Sequence, residues 1–482
     1  MSDSSHPTIT SYTANPTLGF RGGWPVALIP LTVFIAVAVW YFAVMQTFDF
    51  LALTAGALVG LLVGALLARD QSAYWSAVFR GVGSSSSATI VTILAAVGMY
   101  AQLIKATGLA DGMVWAATSL GVSGAVFLPF TFAATCLVSL STGSSIGTMF
   151  TIFPVLYTAG VALGAPEALL AGAIVSGAIF GDHLAPISDT TIISASSQRF
   201  RSTGAVADVA GVVRSRARYA LAAAGITLVV FIVIGAASGA SAAPEASGDP
   251  RGLLMLIPVA LMLVVAIVGR NLFSAITVGL IVGFTTALLG GLLDPAAILG
   301  VDGEGNGAGV LIDGLAAILP TIALVLVVFG IMGVLTESGI IEKLTHALAS
   351  SRIASTPAGA ETVIAIGTSV VTVAYGGVNS ASMATFGPIV DRVGANAGLH
   401  PYRRANIMDC FAMGISCVVP LLSAFVFIAA SLSGLHPGEL FLGCVYPLVL
   451  TLVMVIAIAT GWGRRFEAPS GAEVRGRIAL SS

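Results

Sequence analysis

The stretch IFGDHLAPISDTTIISAS, residues 179–196, places charged and helix-breaking residues in the middle of an apolar region. Its central part, residues 181–191, holds two aspartates, one histidine, one proline and three hydroxyl side chains. Only 9% of the whole chain is charged, so such a concentration is unusual in this sequence. The fold depends on what this polar interruption does inside a segment that otherwise has the composition of a membrane span.

A helix break is the first prediction from this stretch. Pro186 has no backbone N–H and disfavours helix at the residue before it, so a helix arriving from the N-terminal side is expected to end there. Gly181 is expected to loosen the turn that precedes the break. Either Ser188 or Asp189 is expected to cap a helix that restarts at Thr190.

The composition indicates that the chain lies mainly in a lipid bilayer. Of its 482 residues 57% are hydrophobic, and the mean hydropathy is +1.01. A soluble protein carries about 25% charged residues, so the bilayer must be the main solvent here. The formal net charge of −2 indicates no nucleic-acid partner. The four cysteines lie in apolar runs without metal-type spacing, which favours buried inert thiols, and we expect no cofactor.

Apolar runs of spanning length divide the chain. They begin near Pro25, Phe50, Ala88, Tyr219, Leu253, Leu272, Ala316 and Leu440. Two longer regions, 123–196 and 358–433, are interrupted by small polar residues and proline, and each is interpreted as a re-entrant hairpin followed by a broken helix. The predicted fold is therefore an all-α polytopic membrane protein with ten spans and two hairpins.

The basic residues predict the orientation. With the N-terminus in the cytoplasm, 18 of the 20 Lys and Arg residues fall on the cytoplasmic side, and only Lys105 and Arg251 do not. Five arginines between 199 and 218, Arg216 among them, are assigned to one cytoplasmic loop, whereas Gly305 lies outside. We expect a multi-pass protein of the cell membrane with both termini cytoplasmic.

An internal repeat appears when the chain is compared with itself at an offset of 234 residues. The matched pairs include Gly143 with Gly377, Met149 with Met383, Pro154 with Pro388, Gly160 with Gly394, and Pro186 with Pro420. Because each repeat holds five spans, the second must be inverted relative to the first, a layout typical of secondary transporters. The predicted parts are a cytoplasmic tail over 1–24, repeat one over 25–240, an extracytoplasmic linker over 241–251, inverted repeat two over 252–461, and a cytoplasmic tail over 462–482.

The first interruption in each repeat is a tip of small polar residues, SLSTGSSIGT at 139–148 and AYGGVNSASM at 374–383. Unpaired backbone at membrane depth is tolerated only when it is buried in protein or lines a wet cavity. Hydroxyl and carbonyl oxygens there can replace the water shell of a cation. Tight helix packing through glycine and serine is the alternative interpretation, and the matching repeat positions favour the cation site.

The second interruption carries charge in one repeat only. Its partner, MGISCVVPLLS at 413–423, keeps the proline and a glycine but has no acid, and it aligns Asp182 and Asp189 with serines. Helix capping accounts for one aspartate but not for two, because an ionised carboxylate at membrane depth is costly without a partner. His183 is a member of the site, a residue that holds Asp182 or a satisfied interfacial residue, and Asp409 is a further candidate.

At these residues the chain resembles the NhaC family of sodium/proton antiporters, within the ion-transporter superfamily. FGDHLAPISDTT at 180–191 is similar to the signature of that family, and TGSSIGT at 142–148 resembles its hairpin. The resemblance covers about 25–461. Many relatives have lysine where this chain has His183 and serine where it has Ala185. The resemblance implies two hairpins and two discontinuous helices around a central site, in a family that includes exchangers of organic anions such as malate for lactate.

Exchange of sodium for protons by alternating access is the predicted function, with no enzymatic activity. A carboxylate that binds either ion excludes the other, and Asp182 and Asp189 are the predicted carriers. The oxygen ligands predicted to complete this sodium site are Ser188, Thr142, Ser144, Ser145, Asn379 and Ser380. The expected partners are the sodium ion, the proton and the lipid bilayer, and a homodimer is left open.

Three other functions are considered. A coupled carrier of a small organic anion or amino acid is the main alternative, although no arginine or lysine is expected at the centre to bind a dianion. A channel is less compatible with paired broken helices. A membrane enzyme would need companion motifs beside GVSG at 121–124 and the Gly–Asp pair at 181–182, and the sequence has none.

Overall fold

The computed structural model describes residues 18–45, 49–120, 124–237, 249–269, 271–349 and 351–475. Parts of the predicted tail over 1–24, the linker over 241–251 and the tail over 462–482 therefore lie outside the described residues. Within those that are described, the protein is almost entirely helical.

Among the described residues, the first half of the chain contains eleven α-helices. They are α1 Ile29–Val39, α2 Phe50–Leu67, α3 Gln71–Val82, α4 Ser85–Ala106, α5 Leu109–Leu120, α6 Gly124–Thr142, α7 Ser145–Ile152, α8 Thr158–Ala162, α9 Glu167–Leu184, α10 Asp189–Ser196 and α11 Val209–Ala237. A 3-10 helix at Trp24–Leu28 precedes α1, and π-helical turns at Trp40–Val44 and Phe153–Tyr157 follow α1 and α7.

The second half contains ten more helices and two short strand pairs. The helices are α12 Leu256–Gly269, α13 Leu272–Leu289, α14 Val310–Glu337, α15 Ile340–Ala349, α16 Pro357–Ala374, α17 Asn379–Asn396, α18 Pro401–Ile415, α19 Ala424–Ser433, α20 Pro437–Gly443 and α21 Val445–Thr460. The 3-10 helices are Pro250–Met255, Pro295–Ala297, Arg352–Ser355 and Pro420–Leu422. The antiparallel strand pairs are β1 Gly300–Val301 with β2 Gly307–Ala308, and β3 Phe466–Glu467 with β4 Glu473–Val474.

The helices have the length and composition of a multi-pass membrane protein. In the described part of the chain nine helices are long and apolar enough to span a bilayer, or ten if α19 and α20, bent by 108°, count as one span. Both arms of the first predicted hairpin, Gly124–Thr142 and Ser145–Ala162, are among the nine. The polytopic all-α fold is confirmed, while the re-entrant nature of the hairpins stays a prediction.

Two tight turns form the tips of the predicted hairpins. Gly143 joins α6 to α7 with φ of 66°, and Gly377 joins α16 to α17 with φ of 77°. Only glycine adopts this backbone conformation readily, so the pair matched by the offset of 234 has the same conformational role. A Cβ at position 143 would lie 2.7 Å from the Ile187 side chain, so the first tip packs directly on the helix break.

Both predicted helix breaks are present. The chain leaves α9 at Leu184 and enters α10 at Asp189, and the second break separates α18 from α19 around Pro420. The role predicted for Gly181 is wrong, because this residue lies inside α9. A Cβ there would come within 2.4 Å of the Leu140 backbone nitrogen, so the glycine allows α9 to pack closely on α6.

The packing separates two groups of helices. One group packs α14 against α2, α3 and α4. The other contains both hairpins and both broken helices, with α6 on α9, α16 on α17 and α18, and α11 and α18 on α21. This arrangement brings the two polar tips and the two breaks into one body.

The order of helices in the two halves is similar. Helices α7 and α17 begin 379 − 145 = 234 residues apart, and α9 and α18 begin 401 − 167 = 234 residues apart. Helix α3, which lies between α2 and α4, has no corresponding α-helix in the described second half. The segment between α13 and α14 contains β1 and β2 instead. The inversion of the second half stays a prediction.

Helix α11 begins at Val209, before the predicted span start at Tyr219, because its first turns pack among other helices.

Candidate functional site

Asp182 lies in the last turn of α9, and its side chain joins the helix break to the first hairpin tip. The residue is 4% exposed. Ser145 Oγ donates a hydrogen bond of 2.6 Å to Asp182 Oδ2, and Ser188 Oγ donates one of 2.5 Å to Oδ1. Ser145 is the first residue of α7, and Ser188 directly precedes α10. One carboxylate therefore touches three helix ends.

The surroundings of Asp182 suit an anion that can bind a small cation. Hydroxyl donors and the nearby N-terminus of α7, which carries the positive end of the helix dipole, both favour a negative charge. Carboxylate and hydroxyl oxygens are the ligands that hard cations prefer. The described residues contain no group of three or more His, Cys, Asp or Glu side chains of the kind that holds a resident metal.

Asp189 connects the two halves of the protein. It is the first residue of α10, and it is exposed. Its Oδ1 accepts a hydrogen bond of 2.8 Å from the backbone N–H of Thr190, and its Oδ2 accepts one from the Ser380 hydroxyl of α17. Ser188 occupies the N-cap position, but its hydroxyl binds Asp182 instead of capping α10, and the helix begins at Asp189 instead of Thr190.

The remaining predicted oxygen ligands are used within the hairpin tips. Thr142 Oγ1 lies 3.0 Å from Thr148 Oγ1, and the Ser144 hydroxyl caps the N-terminus of α7. The Asn379 amide, in the orientation that pairs its nitrogen with acceptors, donates to the Gly377 carbonyl at 3.1 Å and to a carbonyl of α18. In the described contacts these three residues shape the tips and do not touch either carboxylate.

His183 faces away from the Asp182 carboxylate. Its ring is fully buried, with Nδ1 2.9 Å from the Tyr446 hydroxyl and Nε2 3.3 Å from Cys410 Sγ. These contacts hold α9 against α18 and α21. The described contacts of His183 include none to Asp182, and they agree with the interpretation of His183 as a satisfied interfacial residue.

Asp409 is brought near the break, but in a different environment. Its Oδ2 lies 2.6 Å from Arg216 Nη1, and both side chains are fully buried. Ser194 Oγ also donates to Oδ2 at 3.0 Å. A buried carboxylate paired with arginine has its charge balanced within the protein. Asp409 therefore lies beside the site, as the partner of an arginine.

The location predicted for Arg216 is wrong. This residue is predicted to lie in a cytoplasmic loop, whereas it lies in α11 with a fully buried side chain. The expectation that no arginine lies near the centre is wrong for the same reason. A usable signal was present, because Arg216 stands four residues after Val212 and four before Ala220, on the buried stripe of the helix. Thr191 and Ser194, which contact Arg216, were also missed.

Cavities in the described part of the chain adjoin both hairpins. One of about 540 Å³ borders the second arm of the first hairpin and contains the charged residues Lys105 and Glu167. Another of about 220 Å³ reaches Val378 at the second tip and is lined by the ion pair of Arg80 and Glu337. Both provide space next to the elements that carry the candidate site.

Comparison with known proteins identifies the family to which this chain is similar. The profile of the Na+/H+ antiporter family matches residues 16–236 and 250–462. The chain is 27% identical over 273 residues to a malate-2H(+)/Na(+)-lactate antiporter of Bacillus subtilis, covering 54% of this chain and 56% of that protein. It is 27% identical over 310 residues to the Na(+)/H(+) antiporter NhaC of Alkalihalophilus pseudofirmus, covering 60% and 65%. The matched segments thus span less than two thirds of either relative.

A solved structure, the YdaH transporter of Alcanivorax borkumensis, is similar at a TM-score of 0.38 and 13% identity, over 90% of this chain and 99% of that one. The family match covers nearly all of the described helices. The chain belongs to the Na+/H+ antiporter family.

Proposed function

We propose that this protein exchanges sodium for protons across the cell membrane, with both termini in the cytoplasm. Family membership supports cation/proton antiport, and the distribution of the basic residues other than the buried Arg216 supports the orientation. The similarity to an NhaC antiporter supports sodium as the exchanged cation. The protein is proposed to act as a transporter without enzymatic chemistry.

The observation that carries the proposal is the buried carboxylate of Asp182 at the junction of hairpin tip and helix break. Sodium binds the ionised carboxylate with Ser145 and Ser188 as neighbouring oxygen ligands. A proton on the same carboxylate removes the charge that holds sodium, so the two ions exclude each other. Asp189 directly follows Ser188, which donates to Asp182, so a bound cation at Asp182 also lies near the Asp189 carboxylate, and its charge offsets the repulsion between the two carboxylates.

Alternating access is proposed to move the body that holds the hairpins and broken helices against α2, α3, α4 and α14. The support is the division of the packing into these two groups. The contact between Asp189 and Ser380 joins the two halves at the site, so a movement of either half changes the oxygen atoms around the carboxylates. Broken helices with sites at their interrupted backbone are typical of such carriers.

Exchange of a small organic anion is the second candidate, and the similarity to a malate-2H(+)/Na(+)-lactate antiporter favours it. A dianion needs a cationic partner, and Arg216 is a buried arginine near the break. Its guanidinium, however, is already bound to Asp409 and to hydroxyl and carbonyl oxygens. Because the Arg216 guanidinium is already bound by these groups, its contacts support a cation, and not an organic anion, as the exchanged substrate.

The test uses purified protein in liposomes with an acid interior and a fluorescent pH indicator. Sodium, potassium, malate and several amino acids are added outside in turn. The proposal expects sodium to cause release of internal protons, with no response to malate alone. A response to malate that needs no sodium gradient would favour the second candidate and contradict the first.

A further inference from the structure

The guanidinium of Arg216 bridges the break between α9 and α10. Nη1 donates to the His183 carbonyl at 2.8 Å and to Thr191 Oγ1 at 2.9 Å, and Nη2 donates to Ser194 Oγ at 2.9 Å. His183 is in the last turn of α9, whereas Thr191 and Ser194 are in the first two turns of α10. A single side chain from α11 thus contacts the helix on both sides of the interruption.

These contacts replace hydrogen bonds that the break removes. In an unbroken helix the His183 carbonyl would accept from the backbone N–H of residue 187, which lies beyond the end of α9. Arg216 supplies that donor instead. A positive charge at the C-terminus of a helix is also favoured by the helix dipole. The arginine therefore stabilises α9 in its interrupted form.

The same side chain reaches the broken helix of the second half. Besides the ion pair with Asp409, Arg216 Nε donates to Asn406 Oδ1 at 3.3 Å, and both acceptors belong to α18. Two roles fit this pattern. The arginine either only balances the buried charge of Asp409, or it also fixes the relative positions of α9, α10 and α18.

We propose that Arg216 is a positioning residue for exchange: its planar guanidinium holds the two sides of the break in the geometry that keeps Asp182 and Asp189 at one site. Its three contacts across the break carry this inference, since charge balance requires only the contact to Asp409. The inference rests on the proposed function for its effect on sodium, but its geometric part concerns the break itself.

Two variants keep the buried charges balanced and thereby separate the two roles. Arg216→Lys keeps the ion pair but loses the planar fork of donors, and the double variant Arg216→Gln with Asp409→Asn removes both charges. The positioning role predicts correctly folded protein, judged by size-exclusion profile, with apparent sodium affinity weaker by several-fold in the first and by about tenfold in the second. Wild-type sodium dependence in both would overturn the proposal.

A second readout does not depend on sodium. Ile187, half-buried in the break, is replaced by Cys in each background, and its rate of reaction with a maleimide is measured; the parent, whose four cysteines are buried, gives the blank. Faster labelling in both charge-balanced variants is expected. Equal rates would overturn the positioning role, and faster labelling with unchanged sodium affinity would overturn its link to exchange. Faster labelling in both variants, together with no sodium-driven proton movement by the wild type itself, would contradict the proposed function alone.

Discussion

Asp182 and Asp409 are both buried aspartates beside a helix break, yet their partners differ. Asp182 is held by the hydroxyls of Ser145 and Ser188, whereas Asp409 forms an ion pair with Arg216. The sequence identifies both carboxylates, because charge is rare in an apolar chain. It does not distinguish them, because the arginine that pairs with Asp409 is 409 − 216 = 193 residues away and its burial depends on how α11 packs.

Removing either hydroxyl that binds Asp182 is expected to weaken sodium binding. A hydrogen bond to a charged group contributes about 1.5–3 kcal/mol, so Ser145→Ala or Ser188→Ala should weaken the apparent sodium affinity by about tenfold or more. The measurement is sodium-dependent proton release from liposomes, normalised to folded protein. Ser144→Ala is the matched control, since Ser144 only caps α7. The control should lose about 1 kcal/mol of stability and keep its sodium affinity. Wild-type sodium affinity in Ser145→Ala and Ser188→Ala would show that these hydroxyls do not contribute to sodium binding.

At the scale of elements, hairpin tips and helix breaks could be predicted because their signals are local. Pro186 ends a helix and Gly143 makes a tight turn wherever they occur, so the breaks and tips were found from the sequence. Contacts between elements were not found. The sequence predicts Gly181 as a turn residue, although its role is set by the backbone of α6, which is distant in sequence and close in space.

Closing the gap between α6 and α9 should destabilise the protein. The Cβ of Gly181→Ala would meet the Leu140 backbone nitrogen at 2.4 Å, so the helices must separate, which costs about 1–3 kcal/mol. Gly225→Ala in α11 is the matched control, because nothing lies within 4 Å of its Cβ. Thermal unfolding in detergent should show a lower midpoint for Gly181→Ala and an unchanged or higher one for Gly225→Ala. Similar midpoints would show that the close approach is not needed.

The strand pair β3–β4 docks beside α18 in a way that should depend on pH. His400 Nε2 contacts the Gly471 carbonyl at 3.2 Å, and burial lowers the pKa of His400 although Glu473 opposes the shift. The other charged groups near His400 are Glu467, Arg404 and Asp208. Docked His400 thus binds its proton less readily than free histidine, whose pKa is about 6.5.

Docking is therefore expected to be strongest above about pH 6.5 and to weaken as the pH falls through this value. Trypsin cleavage after Arg465, compared at each pH with that of His400→Asn, measures the docking. Asn still caps α18 but does not titrate, so the variant corrects for the pH dependence of the protease. Cleavage of the wild type should increase relative to the variant at low pH. A constant ratio would show that His400 does not control docking.

For the whole molecule, the sequence predicted the membrane class, because hydropathy alone determines it. It did not predict the number of long helices: the expectation is ten spans and two hairpins, whereas nine helices of the described residues are long and apolar enough to span a bilayer, and both arms of the first predicted hairpin are among them. The sequence also predicted an orientation that the helices themselves do not test. The two-group packing was not predicted, since it depends on contacts such as those of α14 with α3 and α4 that have no local signal. The alternating-access proposal depends on this level of structure.

The orientation is tested with single cysteines in exposed loops. Gly303→Cys lies between β1 and β2, and Thr203→Cys lies between α10 and α11; both positions are exposed. With both termini cytoplasmic, a membrane-impermeant maleimide should label position 303 in intact cells and position 203 only after permeabilisation. The protein without added cysteine is the control, because its four cysteines are buried. Labelling of position 203 alone in intact cells would show that the orientation in the membrane is opposite to the predicted one.

The most direct test of sodium/proton competition is made on Asp182. Asparagine keeps the shape of the side chain but carries no charge and takes up no proton, so Asp182→Asn should insert and fold normally. Sodium-driven pH change is measured in liposomes containing equal amounts of folded wild type and variant. The account predicts sodium-dependent proton release by the wild type and none by Asp182→Asn at any sodium concentration. Normal exchange by Asp182→Asn would contradict it.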